Sequence, residues 1–309
     1  MTSILEVKKF LEICILESNA IMGVGLSPEK DKIYIYLEEE ADINLFPFDR
    51  VGGYPVTFFT SGRFISHTDP REAQSRIRPV IGGISTGYTN KSTGTLSCVV
   101  YDRVTGEPLL MSNNHVYGNK STEEVSRVSI GDPILQPGDV DSESPGNVIG
   151  TVHSYVPWVD NYGLNIADVA LAKPSVPFVD GILVNGKVMP ISGVSTVKRG
   201  ETVYKVGRTT GLTYGKVLDL DFTSDIVTGK NPDGSPHYIR FVDQMLLAME
   251  SSSGDSGSLI MNMKNQAIGL LFAGGEDEMG FQFTIANKIR NVMAMAEIEL
   301  NQTHIPAVT

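Results

Sequence analysis

From Val80 to about Phe283 the chain is a succession of short Val-, Ile- and Leu-rich runs, cut repeatedly by Gly, Pro, Asn and Asp. Runs of this length between turn signals favour an all-β body with frequent turns. The 31 glycines and 16 prolines fit so many turns, and 309 residues suffice to bury a large core in two units. GTLSCVVYDR and EPLLMSN flank a turn at Val104 to Glu107 and read as a hairpin. VIGTVHSYVPW and ADVALAKP supply further strands, after a loop-rich insert running from GNKSTEEV to ESPGN. KVLDLDFTSDIV and YIRFVDQMLLAM read as a second hairpin whose tip, NPDGSPH, is a strong turn signal.

The N-terminal residues follow a different rule. Ile4, Val7, Leu11 and Ile15 recur at helical spacing among charged residues, which predicts an amphipathic helix rather than an uninterrupted secretory h-region. KIYIYL (32–37) and PVTFF (55–59) read as strands, with a turn at Gly52 to Pro55. Residues 1–78 are therefore expected to form a small α+β domain ending in a polar linker at 66–79. At the other end, Ile289, Val292, Met293, Ala296 and Leu300 predict a helix over 287–300 with Asn287 as its N-cap.

A formal net charge of −11 argues against nucleic acid, whose phosphates demand Lys/Arg clusters, and against an anionic membrane surface. No run of about 18 apolar residues is present, so no membrane span is expected. The two cysteines, Cys14 and Cys98, fall in different expected units and read as small core residues; their scarcity points to a reducing, cytoplasmic compartment.

Chemistry concentrates at Gly-Asp-Ser-Gly-Ser-Leu-Ile, 254–260. A serine on a Gly-flanked turn can present its hydroxyl while nearby amides converge on one spot, as acyl transfer requires; the Gly254 and Ser256 N–H groups are the candidate oxyanion donors. Ser, Gly and Asp also dominate ordinary surface turns. A nucleophilic serine needs a base, and the base an orienting acceptor. Among five histidines, His115 lies where an apolar run, PLLM, ends in a polar turn. Asp168 opens the apolar run Val169 to Ala172, with Asp160 in VPWVDNYG as a rival acid. His115 could equally be a turn histidine, and Asp168 a turn residue that starts a strand.

Taken together, SNNHV, ADVAL and GDSGS resemble the trypsin-like (chymotrypsin-fold) serine peptidases, whose triad runs His, Asp, Ser. VYKVGRTTGLTYGKV at 203–217 further resembles the intracellular branch related to the plant narrow-leaf proteins. The resemblance spans roughly residues 79–290. It implies a double six-stranded β-barrel over 79–309, with barrels at about 80–178 and 179–286 and the terminal helix beyond. It also implies His115 as general base, Asp168 as its orienter and Ser256 as nucleophile of a serine endopeptidase acting on peptide or protein substrates without metal or cofactor. A catalytically silent peptide-binding or assembly module on the same scaffold is the alternative, and the N-terminal domain offers either one a route to oligomers.

In the resembled family the residue six before the nucleophile can floor the pocket for the side chain preceding the cut; here it is Glu250, which would favour Lys or Arg. The stretch Leu270, Leu271, Phe272, Ala273, Gly274 is expected to pair with substrate as an added strand. VIGGIS at 80–85 resembles a mature zymogen N-terminus, whose freed amine would pair with Asp255. The bond after Arg78 precedes Pro79, a poor cleavage site, so the intact chain is expected to be competent. KVGRTTGLTYGK fails the P-loop spacing, since Thr210 and Val217 stand where Gly and Ser/Thr are needed. Its glycines 207, 211 and 215 read as tight-turn positions, with Arg208 available for an acid or a substrate carbonyl.

Overall fold

The computed structural model describes residues 2–17, 20–60, 70–89, 92–118, 128–142, 147–160, 163–231 and 233–300. The chain divides into two compact units, Met1–His67 and Thr68–Thr309. Among the described residues no helix is long and apolar enough to cross a membrane.

In the first unit α1 (Ile4–Glu17) precedes β1 (Ile21–Leu26), β2 (Ile33–Leu37), a 3-10 turn at Glu40–Leu45, β3 (Arg50–Val51) and β4 (Tyr54–Thr60). The sheet order is β1-β2-β4-β3, with β2 and β4 parallel. Ile4, Val7 and Leu11 share one helix face and pack with Ile33, Ile35 and Leu37, the alternate residues that β2 turns inward. The side chains of Cys14 and Ile15 lie outside the described residues. Strand β1 is an addition to the expected elements; glycines at 23 and 25 dilute its sequence signal.

The second unit begins inside the expected linker. Residues 61–69 lie outside the described residues, but α2 (Pro70–Gln74) and the stretch after it are fastened to the unit. Gln74 Nε2 donates to Arg208 O (3.3 Å), and the Ile77 amide donates to Gln136 Oε1 (3.0 Å). The polar composition that suggested a tether serves these hydrogen bonds instead.

Next come β5 (Val80–Gly82), β6 (Ser85–Tyr88), β7 (Ser92–Thr95), β8 (Cys98–Asp102), β9 (Pro108–Ser112), α3 (Asn114–Tyr117), β10 (Pro133–Leu135), β11 (Val148–Tyr155), β12 (Ala170–Pro174), β13 (Phe178–Val184) and β14 (Lys187–Met189). Strands β8 and β9 are the hairpin expected around Val104. They are followed by β15 (Thr202–Gly207), β16 (Gly211–Lys230), β17 (Pro236–Met249), β18 (Leu259–Asn262), β19 (Ala267–Glu276), β20 (Gln282–Lys288), α4 (Ile289–Ala296) and β21 (Ile298–Glu299).

Strands β15 to β20 close into a six-stranded barrel in the order β15-β16-β17-β20-β19-β18. Val203, Val217, Leu247, Ile260, Leu271 and Ala286 fill one of its apolar clusters. The preceding half is barrel-like but not a plain six-stranded barrel. It comprises an eight-stranded sheet, β21-β8-β9-β12-β11-β10-β6-β7, and a three-stranded sheet, β14-β13-β5. Val80, Val99, Leu110, Ile134, Ile149 and Ala172 pack between its strands. The returning C-terminal strand β21, paired with β8, lengthens the larger sheet.

The terminal helix is shorter than expected. It starts after Lys288 and stops at Glu297, whose φ of +55° breaks the helical path. Asn287 is not its cap: it is a buried residue of β20, committed elsewhere. Cys98 is fully buried, and burial pushes its thiol up to about 12.

Candidate active site

Strand β9 ends at Ser112 and the chain turns at once into α3, one helical turn closed by Gly118 at φ +96°. This short helix presents His115, whose side chain is a quarter exposed (25%). Asp168, fully buried in the apolar stretch leading into β12, meets it: His115 Nδ1 lies 2.5 Å from Asp168 Oδ2, and the His115 amide donates to Oδ1 at 3.2 Å. Asn113 Nδ2 donates to the Asp168 carbonyl at 2.7 Å. An imidazole whose Nδ1–H is claimed by a carboxylate keeps its other nitrogen as a proton acceptor. The rival Asp160 sits elsewhere, 3.8 Å from His237. His67 and His304 lie outside the described residues, and His153 is exposed on β11.

Asp168 is also held from the barrel side. Its amide donates to Asn287 Oδ1 (2.9 Å), Asn287 Nδ2 donates to Gln244 Oε1 (2.6 Å), and Gln244 Nε2 donates to Ile166 O (2.9 Å). Both amide side chains are fully buried. The sequence reading missed this clamp. Its only signal is one amide residue in each of two otherwise apolar strands, QMLLAM and FTIAN.

Ser256 lies in the turn between β17 and β18. Gly254 and Gly257 adopt φ +100° and +95°, which L side chains rarely reach. A Cβ on Gly257 would come within 2.1 Å of Thr95 O. Among the described residues, neither the Gly254 nor the Ser256 amide donates to a protein acceptor, so both remain available to an incoming oxyanion. The Ser256 hydroxyl donates to Phe272 O at 3.4 Å.

One glycine ties the two halves together. A Cβ on Gly94 would meet Val116 Cγ2, next to His115, at 2.5 Å and Ser256 O at 2.8 Å. The Thr95 amide donates to Ser256 O (2.8 Å), and Ser112 Oγ, at the end of β9, donates to Thr95 O (2.8 Å). The serine turn and the histidine turn are thus packed on the same strand, β7. Gly94 carries no mark in a single sequence that distinguishes it from any other strand glycine.

Asp255 anchors the serine turn from beneath. It is fully buried, and Oδ1 accepts from the Thr209 and Thr210 amides (2.9 and 3.1 Å). Its Oδ2 accepts from Thr210 Oγ1 (2.7 Å), the Ser252 amide (3.0 Å) and Lys205 Nζ (3.3 Å). Lys205 is itself fully buried; burial pushes its ammonium below the ordinary lysine value, and Asp255 acts against that. Gly207 makes room, since a Cβ there would lie 2.4 Å from Asp255 Oδ1. The Val80 amide, by contrast, donates to Pro177 O (3.0 Å) within the β5–β13 pairing. Arg208 is taken too: its Nε donates to Asp141 Oδ2 (2.8 Å) and its terminal nitrogen pairs with Oδ1.

Beside Ser256 opens a cleft of about 450 Å³, lined by Ile226, Val227, Ser251, Ser252, Ser253, Gln282 and Leu271 to Glu276. Leu271, Phe272, Ala273 and Gly274 line this cleft, whereas Leu270 is fully buried and does not. Glu250 is not there either: it is exposed, and its carbonyl accepts from Thr213 Oγ1 (3.0 Å). The end of β17 turns that side chain outward; among the described residues the cleft is lined by serine hydroxyls, Gln282 and apolar groups, with Glu276 its only carboxylate.

No protein-family model and no curated protein sequence matches the chain. Solved structures do. Thermobifida fusca Protease A aligns over 71% of this chain and 97% of its own, at 18% identity and a TM-score of 0.50. Nocardiopsis Protease covers the same share of each chain at 19% identity and a TM-score of 0.50. Alpha-lytic protease homolog N4 aligns over 72% of this chain and 99% of its own, at 14% identity and a TM-score of 0.51. The chain has a chymotrypsin-like fold. Its structural neighbours are trypsin/chymotrypsin-like serine proteases, and at this identity the likeness concerns the scaffold.

Proposed function

We propose that the chain is a serine endopeptidase of the trypsin-like type. Ser256 attacks the peptide carbonyl, His115 takes its proton and returns it to the leaving amine, and Asp168 holds the imidazole in the working tautomer. The Gly254 and Ser256 amides receive the oxyanion, and the acyl-enzyme is then hydrolysed by water. The observation that carries this reading is the pairing of half-buried His115 with buried Asp168, His115 lying on a helix whose next residue shares Gly94 with the Ser256 backbone. Catalytic hydrogen bonds commonly tighten only when substrate binds, so the long bond from the hydroxyl to Phe272 O (3.4 Å) is compatible with this reading. The hydroxyl's present bond to Phe272 O is what favours the rival reading, a silent peptide-binding module.

The finer assignments belong to the same proposal. The intracellular, narrow-leaf-related branch rests on KVGRTTG and on Cys98 being a free, buried thiol. A cytoplasmic setting and a partner-binding role for the N-terminal unit go with it. The Lys205–Asp255 pair supplies from within the chain the cation that zymogens obtain from a freed N-terminus, so the intact chain is competent without cleavage. A fluorophosphonate probe tests the central claim. Labelling of the intact chain that disappears in Ser256→Ala supports the peptidase; an unlabelled wild-type chain supports the silent module.

A further inference from the structure

Gly254 carries one of the amides proposed to receive the oxyanion, and it is poorly equipped to hold its own orientation. Glycine has no Cβ to restrict it, so the peptide planes on either side can rotate at little steric cost. Gly254 already sits at φ +100°, where L side chains rarely go. The direction of its N–H therefore has to be set from outside.

Two threonines set it. Thr209 Oγ1 donates to Ser253 O (2.7 Å), and Thr95 Oγ1 donates to Gly254 O (2.9 Å). The successive carbonyls that flank the Gly254 backbone are thus both pinned. A trans peptide is planar with its N–H opposite its C=O, so holding Ser253 O toward Thr209 directs the Gly254 N–H away from Thr209. One residue orients both hydroxyls. The Arg208 amide donates to Thr95 Oγ1 (3.0 Å), and Arg208 Nη1 donates to Thr209 Oγ1 (3.0 Å). Each threonine oxygen accepts from Arg208 and keeps its own proton for a carbonyl of the serine turn. The fit is close: a Cβ on Gly254 would lie 2.4 Å from Thr209 Oγ1 and 2.8 Å from Arg208 Nη1.

The guanidinium is anchored in turn. Asp141 accepts from Arg208 Nε (2.8 Å), pairs with Nη2 and also accepts from Ser85 Oγ (2.5 Å). Both side chains of the pair are largely buried, and a bidentate contact holds the planar fork in one orientation. Asp141 belongs to the loop-rich insert, which is therefore tied to the serine turn. We propose that Thr209 is a positioning residue that aims the Gly254 N–H at the oxyanion, and that Asp141 acts through Arg208 to hold the Thr209 hydroxyl in place. This rests on the peptidase reading above. It gives KVGRTTG a task separate from anchoring Asp255, which uses Lys205, the Thr209 and Thr210 amides and the Thr210 hydroxyl. Thr209→Val keeps the amide that Asp255 needs and removes only the hydroxyl.

The test is the rate at which the intact chain reacts with a fluorophosphonate. In that reaction the Ser256 oxygen bonds to phosphorus, fluoride leaves, and the phosphoryl oxygen takes the place of the oxyanion. Rates over a range of probe concentrations separate probe binding from the chemical step. Thr209→Val should slow the chemical step about 10- to 100-fold, less than the roughly 10²- to 10³-fold cost of deleting an oxyanion donor, because the donor is misdirected rather than removed. Probe binding should be nearly unchanged. Thr209→Ser restores the hydroxyl and should return the rate close to wild type. Asp141→Asn should slow the chemical step less than Thr209→Val does. Combined with Thr209→Val it should slow labelling no further, since both act through one hydroxyl. Melting transitions check that each variant is folded. Equal rates in wild type and Thr209→Val, equal losses in Thr209→Val and Thr209→Ser, or losses that multiply in the double variant would overturn the inference while the peptidase stands. A wild type that does not react with the fluorophosphonate would remove the peptidase reading and this inference with it.

Discussion

The two sides of the site are built on different physics. The serine turn is held by a buried charge: Asp255 collects five donors, one of them a fully buried lysine, and glycines at 207, 254 and 257 let backbone approach where no Cβ fits. The histidine side is held by neutral amides: Asn113 from its own turn, and Asn287 with Gln244 from the barrel opposite. A buried charge fixes position strongly but fails badly when unpaired. An amide clamp is weaker per bond and degrades by degrees. The serine turn is thus anchored by a buried ion pair, while on the histidine side Asp168 is the one charged member, framed by neutral amides.

The largest effect tests the histidine side at its one charged member. Asp168→Asn preserves the shape of the pair but offers Nδ1 a donor instead of an acceptor, so the imidazole adopts the wrong tautomer. The expected outcome is normal folding with kcat reduced on the order of 10⁴-fold. Asp160→Asn, beside His237, should leave kcat within a few-fold. Peptide hydrolysis and circular dichroism on both variants decide it; the reverse ranking would give the orienting role to Asp160.

Lys205→Met tests the other side. It leaves Asp255 buried with four donors but no cation, and breaking a buried pair from one end costs about 3–5 kcal/mol. Unfolding midpoints in urea should fall accordingly, and activity should fall with them because the Ser252 and Thr210 contacts that shape the turn loosen. A double variant, Lys205→Met with Asp255→Asn, should recover part of the stability. A stability loss for Lys205→Met below about 1 kcal/mol would mean that the charge is not what anchors the turn.

These two variants also mark how far the sequence could be read. GDSGS, SNNHV and ADVAL are local: a glycine turn, a strand end and a strand start each carry their signal within a few residues, so Ser256, His115 and Asp168 were all named. KVGRTTG was seen, but not what it does. Arg208, read as available for an acid or a substrate carbonyl, meets an acid, Asp141, inside the loop-rich insert, and the cation beneath the serine turn is Lys205, buried on β15. The expectation for Glu250 rests on its spacing from the nucleophile, and spacing alone does not reveal that β17 ends with that side chain turned to solvent. Asn before an apolar run is a helix-cap signal, which is what Asn287 offers in sequence; only the folded chain brings β20 against Asp168. What was lost in every case is a partner far away in sequence.

The smallest effect probes one such partner. Asn287→Ala removes the acceptor for the buried Asp168 amide and the donor for Gln244 Oε1. Leaving buried polar groups unpaired costs about 1–3 kcal/mol, so thermal unfolding should shift down measurably without loss of the fold. Asn287 holds the Asp168 amide, and in the proposed peptidase its loss should therefore appear in kcat, with KM nearly unchanged, because the imidazole is misaligned while the β19 edge proposed to pair with substrate is intact. Asn287→Asp restores an acceptor but puts a second carboxylate on the same buried spot, where like charges penalise each other. It should lower activity more than Ala at pH 8 and recover toward the Ala level as the pH falls and one carboxyl takes up a proton. A pH-independent loss equal in both variants would reduce Asn287 to a packing residue and leave the amide clamp without a role in aligning the base.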